Sequence, residues 1–339
     1  MINKALIIDG SGYDPFHNLA LEELLMKQLG ENEVAMYLWQ NDNTVVIGRH
    51  QNVFAQCNMH AVAEHKARIA RRRSGGGAVY HDMGNLNYSF ITPDAPEYVE
   101  RDRCVVLDAL RESGISAALN GRNDIEAEGR KISGTAWYSD NGMICHHGTL
   151  LIDSDISTMS SVLTVDRRKW ADKGIDSMRS RVVTLGEINS GINIADMRRV
   201  LCGSFREEYP GAVFVTAEEM IGRQPKLYGN LASKYSSHEW IYGSEIQADF
   251  STGGRFPWGT VDIKCRISGD IIADIRIYSD SLETEAIQKI TDLLGEARFC
   301  SDEIAECVSN ISCTSGQEAV INDIAGLLMS ECPRGKQEV

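Results

Sequence analysis

No stretch of this 339-residue chain approaches the ~20 consecutive apolar residues that a membrane-spanning helix requires. The first apolar segment, Met1 to Ile8, is interrupted at Asp9-Gly10 and lacks the layout of a secretory signal. Positive charge is scarce: 34 Lys and Arg face 48 Asp and Glu, for a formal net charge of -14. A general nucleic-acid binder needs a broad basic surface, so neither nucleic acid nor membrane is expected as a partner. The nine cysteines are scattered and odd in number, with no C-x-x-C pair. That pattern argues against a disulfide framework or a zinc site and fits a reducing, cytoplasmic setting. The glycine run at residues 75–77 matches neither common phosphate loop. G-x-x-x-x-G-K-[ST] and G-x-G-x-x-G both open a helix, whereas Ala78-Val79-Tyr80 favours a strand.

What is present is ordinary for a soluble enzyme, with 43% hydrophobic and 24% charged residues. The length suggests about two domains. The pattern predicts a strand at Ala5–Ile8 and a helix entered at Asp14-Pro15. Leu21, Leu24, Leu25 and Leu29 form its apolar stripe, Glu22 and Glu23 lie toward its positive N-terminal end, and Gly30 stops it. Strands follow at Val34–Trp39, Thr44–Ile47, Ile69–Arg72, Ala78–Tyr80 and Asn85–Ile91, with a helix at Met59–Ala67. A helix at Tyr98–Ser113 precedes a β-rich region reaching His146–Ile152, and helices return near Ile194–Tyr209 and Pro225–Lys234. The pattern shifts around Tyr235–Ile246. Beyond it, strands Gly259–Ile267 and Ile271–Tyr278 flank a tight Ser268-Gly269-Asp270 turn. Helices at Glu283–Leu294, Ser301–Ser309 and Glu318–Met329 complete a smaller α/β domain. The expected division is a catalytic domain at 1–240 and an accessory domain at 247–332, followed by a frayed tail from Pro333 to Val339.

Four segments carry chemistry. In Arg71-Arg72-Arg73-Ser74-Gly75-Gly76-Gly77, arginine offers planar, permanently charged donors to phosphate or carboxylate. Glycine lets the backbone approach an anion, and successive N–H groups can form an anion-binding nest. A plain hairpin is the alternative for a glycine run, but Arg72 beside it and His81-Asp82 beyond it favour an anion site. The second segment is Gly121-Arg122-Asn123-Asp124, followed by Arg130-Lys131-Ile132-Ser133-Gly134. Alternation sends Lys131 to the face opposite Arg130 and Ile132. An inward lysine needs an anionic partner, whereas an edge-strand lysine would be solvated. In the third, His146-His147, adjacent histidines face opposite sides of a strand and cannot chelate one metal in the usual way. The fourth, Lys173 to Arg181, is a second basic loop, solvated or facing an acidic partner.

Together these segments resemble the lipoate–protein ligase family. The pattern RR-x-SGGG-x-V-x-HD-x-GN-x-N-x-SF is met from Arg71 to Phe90. GRND stands at Gly121–Asp124, RKISGTA at Arg130–Ala136, HHGTLL at His146–Leu151 and KGI-x-S-x-RSRV at Lys173–Val182. The resemblance implies a biotin-ligase-like, class II synthetase-like α/β (α+β) domain: a mixed, largely antiparallel sheet covered by helices. It also implies a two-step reaction. ATP and lipoate give lipoyl-AMP, and the lipoyl group then passes to a lysine of an apo lipoyl domain. Expected acceptors are E2 subunits of 2-oxoacid dehydrogenases and the glycine cleavage H protein, with a monomeric enzyme using lipoate or octanoate.

By the same resemblance, Arg72 and the backbone of Gly77, Ala78, Val79 and Tyr80 hold ATP. Lys131 is the catalytic residue, bridging the lipoate carboxyl and the α-phosphate. Asp124 is the candidate Mg²⁺ carboxylate. Ser74 and His147 line the lipoyl pocket with Arg72 and Lys131, and Lys173–Arg181 is the loop expected to close over the adenylate. The rival readings are an octanoyl or lipoyl transferase of the same fold with a cysteine nucleophile, a non-catalytic lipoate-binding protein, and a transferase that accepts preformed lipoyl-AMP but activates lipoate poorly, which shares most of the motifs. No cysteine lies between Cys104 and Cys145, which disfavours the cysteine transferase, and the intact lysine and glycine run disfavour the non-catalytic binder.

Overall fold

The computed structural model describes residues 2–10, 12–121, 123–164, 181–244 and 246–332. They divide into two units. The first is built from Met1–Ile47, Phe54–Arg72 and Ala78–Ile241, the second from Gly48–Val53, Arg73–Gly77 and Tyr242–Val339.

The first unit is organised by an eight-stranded sheet. Its strands are β1 (Lys4–Asp9), β2 (Glu33–Trp39), β6 (Asn85–Pro93), β7 (Ala117–Asn120), β8 (Asp124–Ala127), β9 (Arg130–Asp140), β10 (Met143–Leu151) and β11 (Val213–Val215), in the order β11-β1-β2-β6-β10-β9-β8-β7. β1 runs parallel to β11 and β2, and every pairing from β2 to β7 is antiparallel, so the sheet is mixed and largely antiparallel. A second sheet joins β3 (Thr44–Ile47) to β4 (Arg68–Arg71) and β5 (Val79–His81).

Period-2 alternation gives the large sheet two apolar faces. Ile7, Met36, Leu38, Leu86, Tyr88 and Phe90 enter one core, beneath the helices Pro96–Glu112 and Ile194–Glu208. Leu6, Ile8, Ala35, Tyr37 and Trp39 enter the other, beneath the helices Pro15–Gln28 and Pro225–Ser236. Each fully buried leucine or isoleucine contributes ~1.5–3 kcal/mol.

The helix Pro15–Gln28 starts as its sequence dictates. Asp14 is the N-cap, accepting from the N–H groups of Phe16 and His17, and Pro15 takes the first turn. It ends at Gln28, where Leu29 turns extended, one residue before the expected Gly30. Glu22 and Glu23 lie beyond the first turn, so they do not serve the helix dipole as expected. Both are buried, and Glu23 is bonded by Lys234 at 2.6 Å and by the Tyr235 hydroxyl at 2.7 Å.

The second unit carries an antiparallel meander of β12 (Phe250–Phe256), β13 (Gly259–Ser268) and β14 (Ile271–Ser279). Val261, Ile263, Ile275 and Ile277 pack there against the helices Thr284–Leu294, Ser301–Ser309 and Ser315–Glu331. Gly269 has φ +68° in the β13–β14 turn, as the tight turn requires. Among the described residues no helix is long and apolar enough to cross a membrane.

Candidate active site

On one of these faces a polar patch lies where β6, β10 and β9 run side by side. The register sets His147 of β10 between Ser89 of β6 and Ala136 of β9, and sets Thr149 beside Asn87. Glu22 comes to this face from the helix Pro15–Gln28. His147 Nδ1 lies 2.8 Å from Glu22 Oε1, and the Ser89 hydroxyl donates to the same oxygen at 2.6 Å. Ser89 in turn accepts the Trp39 indole N–H at 2.9 Å. Burial pushes the Glu22 carboxyl up. His147, by charge and hydrogen bond, together with Ser89 and Cys145 outweighs it and holds the group below its ordinary range.

Arg72 supplies the positive charge. It is buried, donates through Nη1 to the Val46 carbonyl at 3.1 Å, and is pushed down to about 10 by burial, with Glu22 opposing. It therefore stays cationic at neutral pH. Arg71 has a structural task instead: its guanidinium donates to the carbonyls of Trp240 and Ile241.

His81, quoted in the motif but given no role, also belongs here. Tyr37 donates its hydroxyl proton to Asn18 Oδ1, and Asn18 Nδ2 donates to Asn41 Oδ1, each at 2.9 Å. That leaves the Asn41 amide nitrogen to donate to His81 Nδ1 at 3.1 Å, so the ring proton sits on Nε2. Burial, then Arg72 and His147, push this imidazole down to about 3 and keep it neutral.

Lys131 is placed by irregular pairing. The β8–β9 register shifts between Ile125 and Glu126, where Glu126 pairs with Lys131. Lys131 N–H donates to the Arg181 carbonyl at 2.7 Å, and its own carbonyl accepts from Val183 N–H at 3.0 Å. The side chain then passes over Gly134, where a Cβ would stand 2.8 Å from the ammonium. Asp124 Oδ1 meets that ammonium at 2.7 Å and is the anionic partner an inward lysine needs. Both side chains are about one-third exposed, at 33% and 34%.

The expected nucleotide turn falls in two parts. Arg72, Ala78, Val79 and Tyr80 belong to the first unit, whereas Ser74 and Gly77 belong to the second. Tyr80 points its hydroxyl at Asn43, 3.0 Å away. The three glycines answer different needs. A Cβ on Gly75 would stand 1.9 Å from the Ser281 carbonyl oxygen, so that glycine is required by packing. Gly76 has φ +87°, while a Cβ on Gly77 would meet nothing within 4 Å. Of the expected closing loop, 173–180 lies outside the described residues.

The paired histidines face opposite sides, as alternation requires. His146 meets Asp102 of the helix Pro96–Glu112 at 3.6 Å, and neither side chain has a hydrogen-bond partner among the described residues. Burial pushes Asp102 up to about 6, with His146 and Arg103 opposing and Glu208 adding to the rise. A carboxyl raised above its ordinary 3.8 contributes stability that is full below that value and lost as pH climbs through about 6. Asp102→Asn is therefore expected to flatten the fall in stability between pH 4 and 7, by a total on the order of 3 kcal/mol. Urea midpoints across that range measure it, and an unchanged slope would contradict the assignment.

Cys145, the nearest thiol, is fully buried beside Glu22. Burial does not suit it to act as a transferase nucleophile.

The architecture is that of a lipoyl-ligase catalytic domain joined to its C-terminal partner. The family model described as "Lipoyl protein ligase A/B catalytic domain" matches residues 14–206, and "Bacterial lipoate protein ligase C-terminus" matches 245–328. The chain belongs to the lipoate–protein ligase family.

Lipoate-protein ligase A of Blochmanniella pennsylvanica is 36% identical over 314 residues, covering 91% of this chain and 92% of that protein. Lipoate-protein ligase A of Bdellovibrio bacteriovorus is 32% identical over 317 residues, covering 91% and 93%. The structure of P. falciparum LipL1 in complex with lipoate shares the fold, with a TM-score of 0.85 at 24% identity over 96% of this chain and 100% of that one. A lipoate-protein ligase A structure bound with ATP matches with a TM-score of 0.60 at 26% identity, covering 72% and 99%. An archaeal bipartite lipoate protein ligase from Thermoplasma acidophilum, described with its E2 lipoyl domain, matches at 0.63 and 26%, covering 74% and 100%.

Proposed function

We propose that this chain activates lipoate with ATP and transfers the lipoyl group to a lysine of apo lipoyl domains, those of E2 subunits and of the glycine cleavage H protein. In this reading residues 1–240 carry the chemistry and residues 247–332 form the accessory domain. The observation behind it is the Lys131 ammonium held over Gly134, on the sheet face that also bears the Glu22–His147 pair.

In the first step the lipoate carboxylate attacks the α-phosphorus and pyrophosphate leaves. Two anions must approach, so positioned cations are required. Arg72 and Lys131 supply them, and the backbone N–H groups of Gly77, Ala78, Val79 and Tyr80 hold the nucleotide. Glu22 orients His147 at the pocket wall.

Asp124 is one carboxylate with Lys131 on a single oxygen. With Oδ1 engaged by Lys131, Asp124 would hold a hydrated Mg²⁺ through its remaining carboxylate oxygen, phosphate oxygens supplying other ligands. The ion would neutralise phosphate charge there.

ATP–pyrophosphate exchange tests the proposal. Exchange should depend on lipoate, proceed more slowly with octanoate, and be absent with biotin. Lipoate and octanoate share an eight-carbon carboxylate, and an apolar pocket separates small differences by only ~1–3 kcal/mol. Absence of lipoate-dependent exchange would leave only transfer or binding.

A further inference from the structure

The proposed chemistry leaves Cys145 of β10 unused. Alternation puts it on the same side of the strand as His147, two residues on, while His146 points to the other side. Glu22 reaches both from the helix Pro15–Gln28. Its carboxylate lies 2.8 Å from His147 Nδ1 and accepts from the Cys145 thiol. The ligand atoms of carboxylate, thiol and imidazole all lie within 4.8 Å of one another. No other three metal-ligating side chains converge in this way among the described residues. Glu22, Cys145 and His147 are 1%, 0% and 7% exposed, so this is not a solvated cluster of surface acids.

One oxygen, one sulfur and one nitrogen make a donor set for zinc and its thiophilic relatives. Tetrahedral Zn²⁺, with oxygen and nitrogen at ~2.0–2.1 Å and sulfur at ~2.3 Å, spaces its ligand atoms ~3.3–3.6 Å apart. The Glu22–His147 pair is closer than that and the whole group spans at most 4.8 Å. Side-chain movements on the order of 1 Å therefore bring the three onto one ion. Ser89 donates to the Glu22 oxygen and Trp39 to Ser89, so the carboxylate is held from behind, as metal carboxylates are. Three protein ligands leave the fourth position open. Arg72, whose charge interacts with Glu22, repels any cation here. A hard ion such as Mg²⁺ gains nothing from sulfur to offset that repulsion, so the site selects against it.

We propose that Glu22, Cys145 and His147 form a binding site for a thiophilic divalent cation of the zinc class, and that its occupation shuts off lipoate activation. The second half rests on the ligase reading above, whereas the first stands without it. On binding, the Cys145 S–H bond breaks, its proton passes to water, and the sulfur gives the electron pair it keeps to the ion. The imidazole proton moves from Nδ1 to Nε2, which frees the Nδ1 lone pair, and the Glu22 oxygen that accepted that proton turns to the ion. No oxidation state changes. A thiol buried without a cation is inert, but the charge of a coordinated ion deprotonates it outright. The bound ion takes His147 from the wall of the lipoyl pocket. It also draws Glu22 away from offsetting the Arg72 charge.

Cobalt(II) tests the site without reference to activity. Stoichiometric Co²⁺ added to the wild type should give the visible bands of tetrahedral coordination together with a thiolate charge-transfer band, and Zn²⁺ should bleach both. Cys145→Ser keeps a small side chain that can donate to Glu22 but lacks the sulfur, and should lose the charge-transfer band. Zn²⁺ should also inhibit lipoate-dependent pyrophosphate exchange in the wild type. The concentration for half inhibition should rise at least about tenfold in Cys145→Ser, because even groups behind a metal ligand carry 10–100-fold in affinity. The zinc-free rate of that variant should match wild type. Octahedral cobalt spectra would overturn the site, and so would identical spectra in the two proteins, which would place the ion on other cysteines. Equal zinc sensitivity in the two proteins would overturn the blocking role. A wild type that binds cobalt as described but shows no lipoate-dependent exchange would support the site and remove the ligase reading.

Discussion

Lys131→Ala is expected to slow lipoyl-adenylate formation by at least 10²–10³-fold while ATP still binds. In the proposed reaction the ammonium is the cation offered to carboxylate and phosphate, and the other cation of β9, Arg130, is engaged by Glu128 at 3.4 Å. Its removal should leave the fold intact. The side chain is one-third exposed, so the abandoned Asp124 carboxylate can hydrate rather than stay buried without a partner. The backbone also keeps its two bonds to Arg181 and Val183. Pyrophosphate exchange measures the rate, and calorimetric titration with ATP checks the retained site. Adenylate formation near the wild-type rate would refute the role. Lys131→Arg should restore little, because a planar fork cannot occupy the place of a compact ammonium above Gly134.

The second large effect concerns stability. Glu22→Gln should cost about 3–5 kcal/mol, the range for removing one member of a buried charged group. The Glu22 carboxylate offsets the buried Arg72 charge and accepts from His147 and Ser89. Glutamine retains the size without the charge. The Glu22 carboxyl is held below its ordinary 4.5, so its contribution is present above that value and lost as pH falls through the lower folded one. The wild type and the variant should therefore differ most at neutral pH and converge in acid. Urea unfolding at pH 7 and at pH 3 measures both, and equal stabilities at pH 7 would refute the role given to this charge.

Much of this molecule is legible in its sequence where local rules agree. Asp14-Pro15 announces a helix, and β13 and β14 alternate cleanly about Gly269. The RRRSGGG and RKISG segments carry their chemistry openly. Other parts resist for physical reasons. β12 has the sequence Phe-Ser-Thr-Gly-Gly-Arg-Phe and buries none of its side chains, so it shows no apolar alternation. The helix Ala217–Arg223 is short, although Thr216 and Glu219 form the capping box that marks its start.

Glu22 reads as a helix-dipole residue because its partners, Ser89 and His147, lie 67 and 125 positions away. Its surroundings hold a clue: the helix is apolar on all sides there, so a glutamate cannot reach water. His81 is silent for another reason. Its tautomer is set by a relay through Tyr37, Asn18 and Asn41 that only the folded chain assembles. Gly75 is instructive in the opposite way. Glycine beside arginine points to an anion, yet at this position it answers the approach of Ser281.

That approach bears on how the chain can be recombined. The segments Gly48–Val53 and Arg73–Gly77 fold with the C-terminal residues through Ser279 N–H to the His50 carbonyl, Gly76 N–H to the Ser281 carbonyl, and the contact of the His50 ring with the Thr284 carbonyl. A chimera that exchanged only the residues after 241 for those of a relative would import a foreign bed for a native glycine turn. The three stretches, 48–53, 73–77 and 279–284, form one cassette scattered through the gene, and a working hybrid must inherit them together.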